Sequence, residues 1–395
     1  MPPVLRLAKP VGRAVRLGHP WVYRDALAPF APPARGTVVD VHDREGLLAR
    51  GFFDGDGPIA VRVLALGGEA VDAGLIAARA RRAAGLRAAI RDRIDSDAVR
   101  LIHGEGDLLP GLVLDVYGPV GVARFDGDGA RAFYRPHLET VIDAVGQAGF
   151  GLGPLHLRGR RGEPTETVRG ALPDEIVIRE GPARYEVDVV HGQKTGFFLD
   201  QRENRALVAA HAAGATVLNL FGYTGGFSVA AGLAGASDVT TVDLAAPAIA
   251  AARRNLARNG LRSGHELVVA DCREFLARAA TEGKSWDIVV CDPPSFAPSA
   301  RAVPAALAAY RDLNRAAASV VAPGGLLATA SCSSHVTPAA FREVVAEALA
   351  LAVRPARLLA VRGAGPDHPV PPAFPEGRYL KFLLLATSPG PGSTR

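Results

Sequence analysis

Thr216-Val-Leu-Asn-Leu-Phe-Gly-Tyr-Thr-Gly-Gly226 is an apolar run that empties into a glycine turn. Four further runs repeat the apolar part: Asp238-Val-Thr-Thr-Val-Asp243, Glu266-Leu-Val-Val-Ala-Asp271, Trp286-Asp-Ile-Val-Val-Cys-Asp292 and Leu326-Leu-Ala-Thr-Ala-Ser-Cys332. Alanine-rich stretches of helical period separate them. Strands of this length alternating with helices predict a parallel α/β sheet. Such sheets bind ligands outside the carboxyl ends of their strands. Asp243, Asp271, Asp292 and Cys332 each close a run, so they are expected to line one crevice.

Toward the N-terminus the pattern changes. Short β-like runs at 37–42, 47–53 and 59–64 predict a small β-barrel over residues 1–67. A middle α+β domain is expected over 68–183. It holds a helix at 75–94 with Arg79, Arg81, Arg82, Arg87, Arg91 and Arg93 on its polar side, strands at 112–117, 120–125 and 155–158, and a helix at 132–148. Strands at 175–179 and 184–190 lead into the α/β domain, 184–388. The last residues, 389–395, offer nothing apolar to bury and are expected to fray.

The chain has 395 residues, and 48% of them are hydrophobic, enough for several cores but not for one large one. Forty-five basic against forty acidic residues leave a net charge of +5, a mild bias compatible with a nucleic-acid partner. Three cysteines do not make a disulfide framework and suit a reducing compartment. No apolar leader and no membrane-length apolar run are read, so a cytoplasmic chain is expected. No metal-ligand set is expected.

The glycine turn lacks both the GxGxxG spacing of a dinucleotide site and the Lys-Ser/Thr pair of a P-loop. Asp243, about twenty residues on, can accept the protons of two ribose hydroxyls. Asp271, with Cys272 beside it, can take an adenine amino proton. A ribose acid and an adenine contact without a phosphate grip suit a nucleoside such as S-adenosylmethionine. The bland alternative makes these acids turn and helix-cap residues. In Asp292-Pro-Pro-Ser-Phe296 the two prolines stiffen the exit from the strand and hold Asp292 at its mouth, where it can bind an amino group and ring nitrogen of a base. Cys332 ends a strand among small polar residues. Thiolate attack at carbon 6 of cytosine would make carbon 5 nucleophilic enough to take a methyl group. Cys291 is expected on the opposite side of the pleat from Asp292, and Cys272 and Cys291 suit structural roles. His335 is a candidate helper.

At these residues the chain resembles the RlmI-type bacterial large-subunit ribosomal RNA cytosine-5 methyltransferases, which carry a small N-terminal PUA domain. The resemblance spans His19-Pro-Trp-Val-Tyr23, Arg100-Leu-Ile-His-Gly-Glu-Gly106, Leu109-Pro-Gly-Leu112, His191-Gly-Gln-Lys-Thr-Gly-Phe-Phe-Leu-Asp-Gln-Arg202, Asn219-Leu-Phe-Gly-Tyr-Thr-Gly-Gly226, Asp292-Pro-Pro-Ser-Phe296, Ser331-Cys-Ser333, Asp367-His-Pro369 and Phe374-Pro-Glu-Gly-Arg-Tyr-Leu-Lys381. It implies a class I Rossmann-like methyltransferase domain, S-adenosylmethionine as methyl donor, Cys332 as the attacking thiol with Asp292 beside it, and 23S ribosomal RNA as partner. It also implies that the block carrying Lys194, Thr195, Phe198, Gln201 and Arg202 covers the cofactor. Asn219, Phe221, Tyr223, Thr224, Gly225 and Gly226 belong with Asp243, Asp271, Cys272 and Asp292 in its site. RNA contacts are expected at Trp21, Arg158, Arg160, Arg161, Ser295 and Phe296. Ser295 departs from the family pattern, which often has lysine there.

Two other readings are kept. One is methylation of a guanine nitrogen using Asp292 and Phe296 without a thiol. The other is an RNA-binding assembly factor with no catalysis. Pairing of two copies is left open.

Overall fold

The computed structural model describes residues 1–159, 163 and 165–388. Arg160, Arg161 and the tail 389–395 lie outside the described residues. The chain forms two compact units. The first takes 1–178, 187–199 and 366–377; the second takes 179–186, 200–365 and 378 onward.

In the first unit, five N-terminal strands form a sheet ordered Val4–Arg6, Val38–Asp43, Gly46–Phe53, Ile59–Leu66 and Trp21–Tyr23. The bridge between Leu7 and Leu27, with Ala8 N to Ala26 O at 2.8 Å and Ala28 N to Arg6 O at 2.9 Å, joins the two edges into a small barrel. Leu5, Val22, Val39, Val41 and Val61 fill it.

The second sheet of this unit runs Glu166–Arg169, Leu155–Arg158, Val120–Phe125, Leu112–Tyr117 and Ala98–His103. Two sequence expectations are corrected here. The helix expected over 132–148 is two helices, Asp128–Tyr134 and Leu138–Gln147, because Pro136 in the turn between them removes a backbone donor. The helix expected over 75–94 stops at Ala89, and its arginines do not share a solvated side. Arg79 and Arg87 are buried. Arg79 donates to the carbonyls of Leu108 and Leu64. Arg87 makes a two-pronged pair with Asp107 and donates to Arg100 O and Asp367 O, both at 2.8 Å. Sequence spacing does not distinguish an arginine facing water from one that threads the core to reach carbonyls.

The second unit is the expected α/β sheet. Its strands are β1 (Thr216–Leu220), β2 (Asp238–Asp243), β3 (His265–Val269), β4 (Trp286–Cys291), β5 (Val321–Ser331), β6 (Ala356–Arg362) and β7 (Lys381–Thr387). Their spatial order is β3-β2-β1-β4-β5-β7-β6. The first five are parallel; β7 inserts antiparallel between β5 and β6. Helices cover both faces, which is why β1 and β4 read as continuous apolar runs. Alternate residues serve opposite cores. Leu218, Leu220, Val289 and Cys291 pack with Tyr310, Leu313 and Phe341 on one side. Val217, Ile288 and Val290 pack with Val208, Phe227 and Phe382 on the other.

Candidate active site

The glycine turn after β1 is held in an unusual shape. Phe221 and Tyr223 have φ of 56° and 47° on either side of Gly222. Left-handed geometry in non-glycine residues costs about 1–3 kcal/mol each and gathers where backbone is shaped for a ligand. A Cβ on Gly222 would lie 2.4 Å from Thr241 Cγ2, so only glycine lets the turn lie against β2. Asp243, half-buried at the end of β2, fixes the turn. Its Oδ2 accepts Tyr223 N and its Oδ1 accepts Ala245 N, both at 2.9 Å. Each oxygen keeps a second lone pair. Thr224 is buried and its carbonyl accepts from Asn255 at 2.9 Å; Gly225 and Gly226 open the helix Gly226–Leu233. Asn219 lies beneath the turn, 1% exposed, donating to Ser228 Oγ at 2.8 Å.

Asp271 caps the helix Cys272–Thr281, one oxygen accepting Arg273 N at 2.8 Å and Glu274 N at 3.2 Å. Cys272 is buried and accepts Phe221 N at 3.3 Å; burial pushes its thiol up to about 12, so it is inert and braces the turn. Cys291 is fully buried, and burial raises its thiol well above its ordinary value.

Asp292 follows β4 and is half-buried. Gln201 donates to its Oδ2 at 2.8 Å, and Asn204 donates to Gln201 Oε1 at 2.6 Å. Gln201 and Asn204 are buried. This relay orients Asp292 from helix Arg202–Ala209 and the turn before it. Arg202 is buried with its Nε 3.7 Å from Glu180, which also pairs with Arg205 at 2.6 Å.

Of the three cysteines, only Cys332 is partly exposed. Its Sγ lies 4.0 Å from Pro293 O, which brings it beside the Asp292-Pro-Pro segment. Ser333 is the hub of this corner. Its fully buried Oγ lies 3.0 Å from Ser295 Oγ and 2.8 Å from Tyr310 Oη, and accepts Phe296 N at 3.1 Å and Ala297 N at 3.3 Å. Phe296 is half-buried, 4.7 Å from the Tyr310 ring; Ser295 is exposed. Lys381, at the start of β7, donates to Ser333 O at 2.5 Å and Tyr379 O at 2.8 Å. Burial pulls its ammonium down to about 8, while the nearby Cys332 sulfur acts in the opposite sense. His335 is exposed on the turn after Cys332.

Sequence reasoning picked out Cys332 and Asp292 but missed Ser333, Tyr310, Asn204 and Lys381, which hold them. The only available signal was that Ser333 and Lys381 fall inside motifs already noted.

The remaining expected residues belong to the first unit. Thr195 is buried, donating to Asp115 at 2.5 Å and lying 2.8 Å from Tyr117 Oη. Asp115 also receives Arg100, so this network pins the 194–197 turn. Lys194 lies over the Phe198 ring at 4.3 Å. The Arg158 guanidinium is taken up by the carbonyls of Val189, Val190 and Gly192. Half-buried Trp21 donates its indole N–H to Glu105 at 2.8 Å and meets Phe374 edge-on at 4.5 Å.

Comparison with known proteins bears on this arrangement. Residues 147–361 match the S-adenosylmethionine-dependent methyltransferase family, and residues 5–66 match a PUA-like domain. The chain is 37% identical over 382 residues to "Ribosomal RNA large subunit methyltransferase I" of Shewanella denitrificans, covering 94% of this chain and 96% of that protein. It is 37% identical over 402 residues to "Ribosomal RNA large subunit methyltransferase" of Deinococcus radiodurans, covering 96% of each. Among solved structures, a Streptococcus mutans protein described as a SAM-dependent methyltransferase has a TM-score of 0.86 at 23% identity, covering 97% of this chain and all of that one. A methyltransferase complexed with SAH has the same score at 22% identity, covering 98% and 100%. These two likenesses show the fold. The donor set of the second unit fits S-adenosylmethionine: Asp243 retains lone pairs for two hydroxyls, and the shaped turn beside it brings backbone close.

Proposed function

The chain belongs to the ribosomal RNA large subunit methyltransferase I family of S-adenosylmethionine-dependent methyltransferases, and from that premise we propose that it methylates carbon 5 of a cytosine in large-subunit ribosomal RNA through a covalent Cys332 adduct. The observation that carries this reading is the contrast among the cysteines. Cys272 and Cys291 are buried, whereas Cys332 is partly exposed at the end of β5, beside the Asp292-Pro-Pro segment.

When bound, S-adenosylmethionine supplies an electrophilic methyl group. Asp243 and the glycine turn would hold its nucleoside, with Asp271 at the adenine. Cys332 adds its sulfur lone pair to carbon 6 of the cytosine, and the electron pair of the 5,6 double bond moves toward carbon 5. After carbon 5 gains the methyl group, a solvent base takes the carbon 5 proton, the C–H pair restores the double bond and the C–S pair returns to sulfur. Asp292, oriented by Gln201, would bind the amino group and ring nitrogen of the base. Ser295 is exposed and Phe296 half-buried on the same segment, and both would meet an unstacked nucleotide. RNA contact by the N-terminal barrel belongs to the same proposal.

The test is Cys332→Ala with tritiated S-adenosylmethionine and bare large-subunit ribosomal RNA. Loss of turnover with S-adenosylmethionine binding intact is expected. Full retained turnover would refute the covalent route and favour methylation of a ring or exocyclic nitrogen through Asp292 and Phe296.

A further inference from the structure

Lys381 faces Ser331 in the antiparallel register of β7 on β5, and its Nζ bonds to the carbonyl of Ser333. These two contacts bracket Cys332. The bonds to Ser333 O and Tyr379 O use two of the three N–H groups of an ammonium. Lys381 is 4% exposed, and among the described residues no carboxylate lies within 4.0 Å of its Nζ. A buried ammonium without a counter-charge is costly. The titratable group that meets its charge is the Cys332 sulfur.

Other titratable groups lie near that sulfur. Tyr310, from helix Val303–Ser319, is coupled to it and is tied to both Ser331 and Ser333. Burial raises this phenol above its ordinary value, so Tyr310 stays neutral. Asp292 lies one residue before Pro293, whose carbonyl is 4.0 Å from Sγ. His335 is exposed on the turn that follows.

We propose that Lys381 is the counter-charge that holds Cys332 as a thiolate, making Lys381 the positioning residue of the nucleophile. This rests on the cytosine-5 reading above. The step balances within the pair: the S–H bond of Cys332 breaks as an N–H bond forms on the neutral Lys381 amine. Thiol and amine become thiolate and ammonium with no proton gained or lost. The sulfur pair then makes the bond to carbon 6, and when that bond breaks the pair returns to a sulfur still facing the ammonium. Lys381 acts through Cys332 and needs no contact with RNA or cofactor.

The experiment is the pH dependence of iodoacetamide alkylation at Cys332, followed by peptide mass in the full chain. Cys272 and Cys291 are 3% and 0% exposed, so labelling reports Cys332. The wild-type midpoint is expected at least about one pH unit below the ~8.5 of a free thiol. Lys381→Gln keeps N–H donors for the two carbonyls but removes the charge. It should raise the midpoint by about one unit or more and slow alkylation near neutrality about tenfold; Lys381→Arg should restore the wild-type profile. A wild-type midpoint at or above ~8.5, or a Lys381→Gln profile that overlays wild type, overturns the proposal. If Lys381→Gln does not fold, the decision passes to wild type and Lys381→Arg: low midpoints in both support the pair, and a high one in either overturns it.

Trapping on RNA containing 5-fluorocytidine separates this inference from the reading beneath it. An adduct with an unshifted Lys381→Gln profile defeats the Lys381 role alone. A low wild-type midpoint without an adduct defeats the cytosine reading, and the catalytic role of the pair with it.

Discussion

Replacing Ser333 by alanine tests whether one hydroxyl sets the corner between β4 and β5. The Ser333 Oγ has four neighbours at 2.8 to 3.3 Å: Ser295 Oγ, Phe296 N, Ala297 N and Tyr310 Oη. A hydroxyl has one proton and two lone pairs, so the four contacts amount to about three full hydrogen bonds. Tyr310 keeps Ser331 as a partner at 3.0 Å, which limits its loss. The two backbone donors are worse placed, and Ala297 is 2% exposed, so its N–H has poor access to water. A buried unsatisfied donor costs about 1–3 kcal/mol and an ordinary lost bond about 1 kcal/mol. Together these give about 2–4 kcal/mol.

For a folding unit of about 200 residues, each kcal/mol moves the melting temperature by about 2–4 °C, so Ser333→Ala should melt about 5–12 °C lower. Turnover should fall about tenfold or more, because the hydroxyl fixes the 295–297 segment beside Cys332. The affinity for S-adenosylmethionine should hold, since Ser333 is not among the partners of the glycine turn. Differential scanning fluorimetry, isothermal calorimetry and methyl transfer to RNA read the three quantities. A variant that melts within about 1 °C of wild type with full turnover would refute the hub.

Other predictions follow from the same geometry. Asp243→Ala removes the acceptor for Tyr223 N and Ala245 N together with the proposed ribose ligand; charge-assisted bonds worth about 1.5–3 kcal/mol should cost about 10–150-fold in S-adenosylmethionine affinity by calorimetry, and an unchanged Kd would sink the assignment. Lys381 has its folded pKa at about 8 against about 10.4 in an unfolded chain, so between those values the unfolded state binds the extra proton and stability rises with pH. Urea unfolding should therefore show wild type gaining about 1–2 kcal/mol on Lys381→Gln between about pH 7 and about pH 9.5; a flat or reversed difference contradicts it. Arg87→Met strands the buried Asp107 carboxylate and should destabilise the first unit by about 3–5 kcal/mol in thermal unfolding; a loss below about 1 kcal/mol would mean the pair is dispensable.

What the sequence reveals about this molecule depends on the range of the interaction. β1 and β4 are legible because a strand covered on both faces must be apolar throughout, and that pattern is local. Cys291 could be set aside from sequence because pleating puts it opposite Asp292, and it is indeed fully buried. The antiparallel strand β7, Lys381–Thr387, is as apolar as β1, but its direction and its place between β5 and β6 are fixed by pairing with residues far away in the chain, which the run itself does not encode. The same limit governs the arginines. Arg79 and Arg87 fall on what helical spacing makes a polar side, yet each is satisfied by carbonyls from other elements. Asp271 shows a different difficulty: it performs the bland capping role through one oxygen, which leaves the other oxygen's role untouched.

The candidate site divides along the same line. The groups proposed to react announce themselves by type, because thiols and carboxylates at strand ends are few. The groups that tune them do not, because a buried serine or lysine is ordinary until its neighbours are known. Ser333 differs from Ser334 by one position, yet the first is buried with four polar neighbours and the second is exposed. Lys381 is likewise unremarkable until β7 pairs with β5 and brings its ammonium to the carbonyl of Ser333, next to Cys332 in the chain. Fold assembly therefore supplies what sequence leaves blank: the proposed nucleophile and the lysine proposed to tune it come from strands far apart in the chain and meet only through the pairing of β7 with β5.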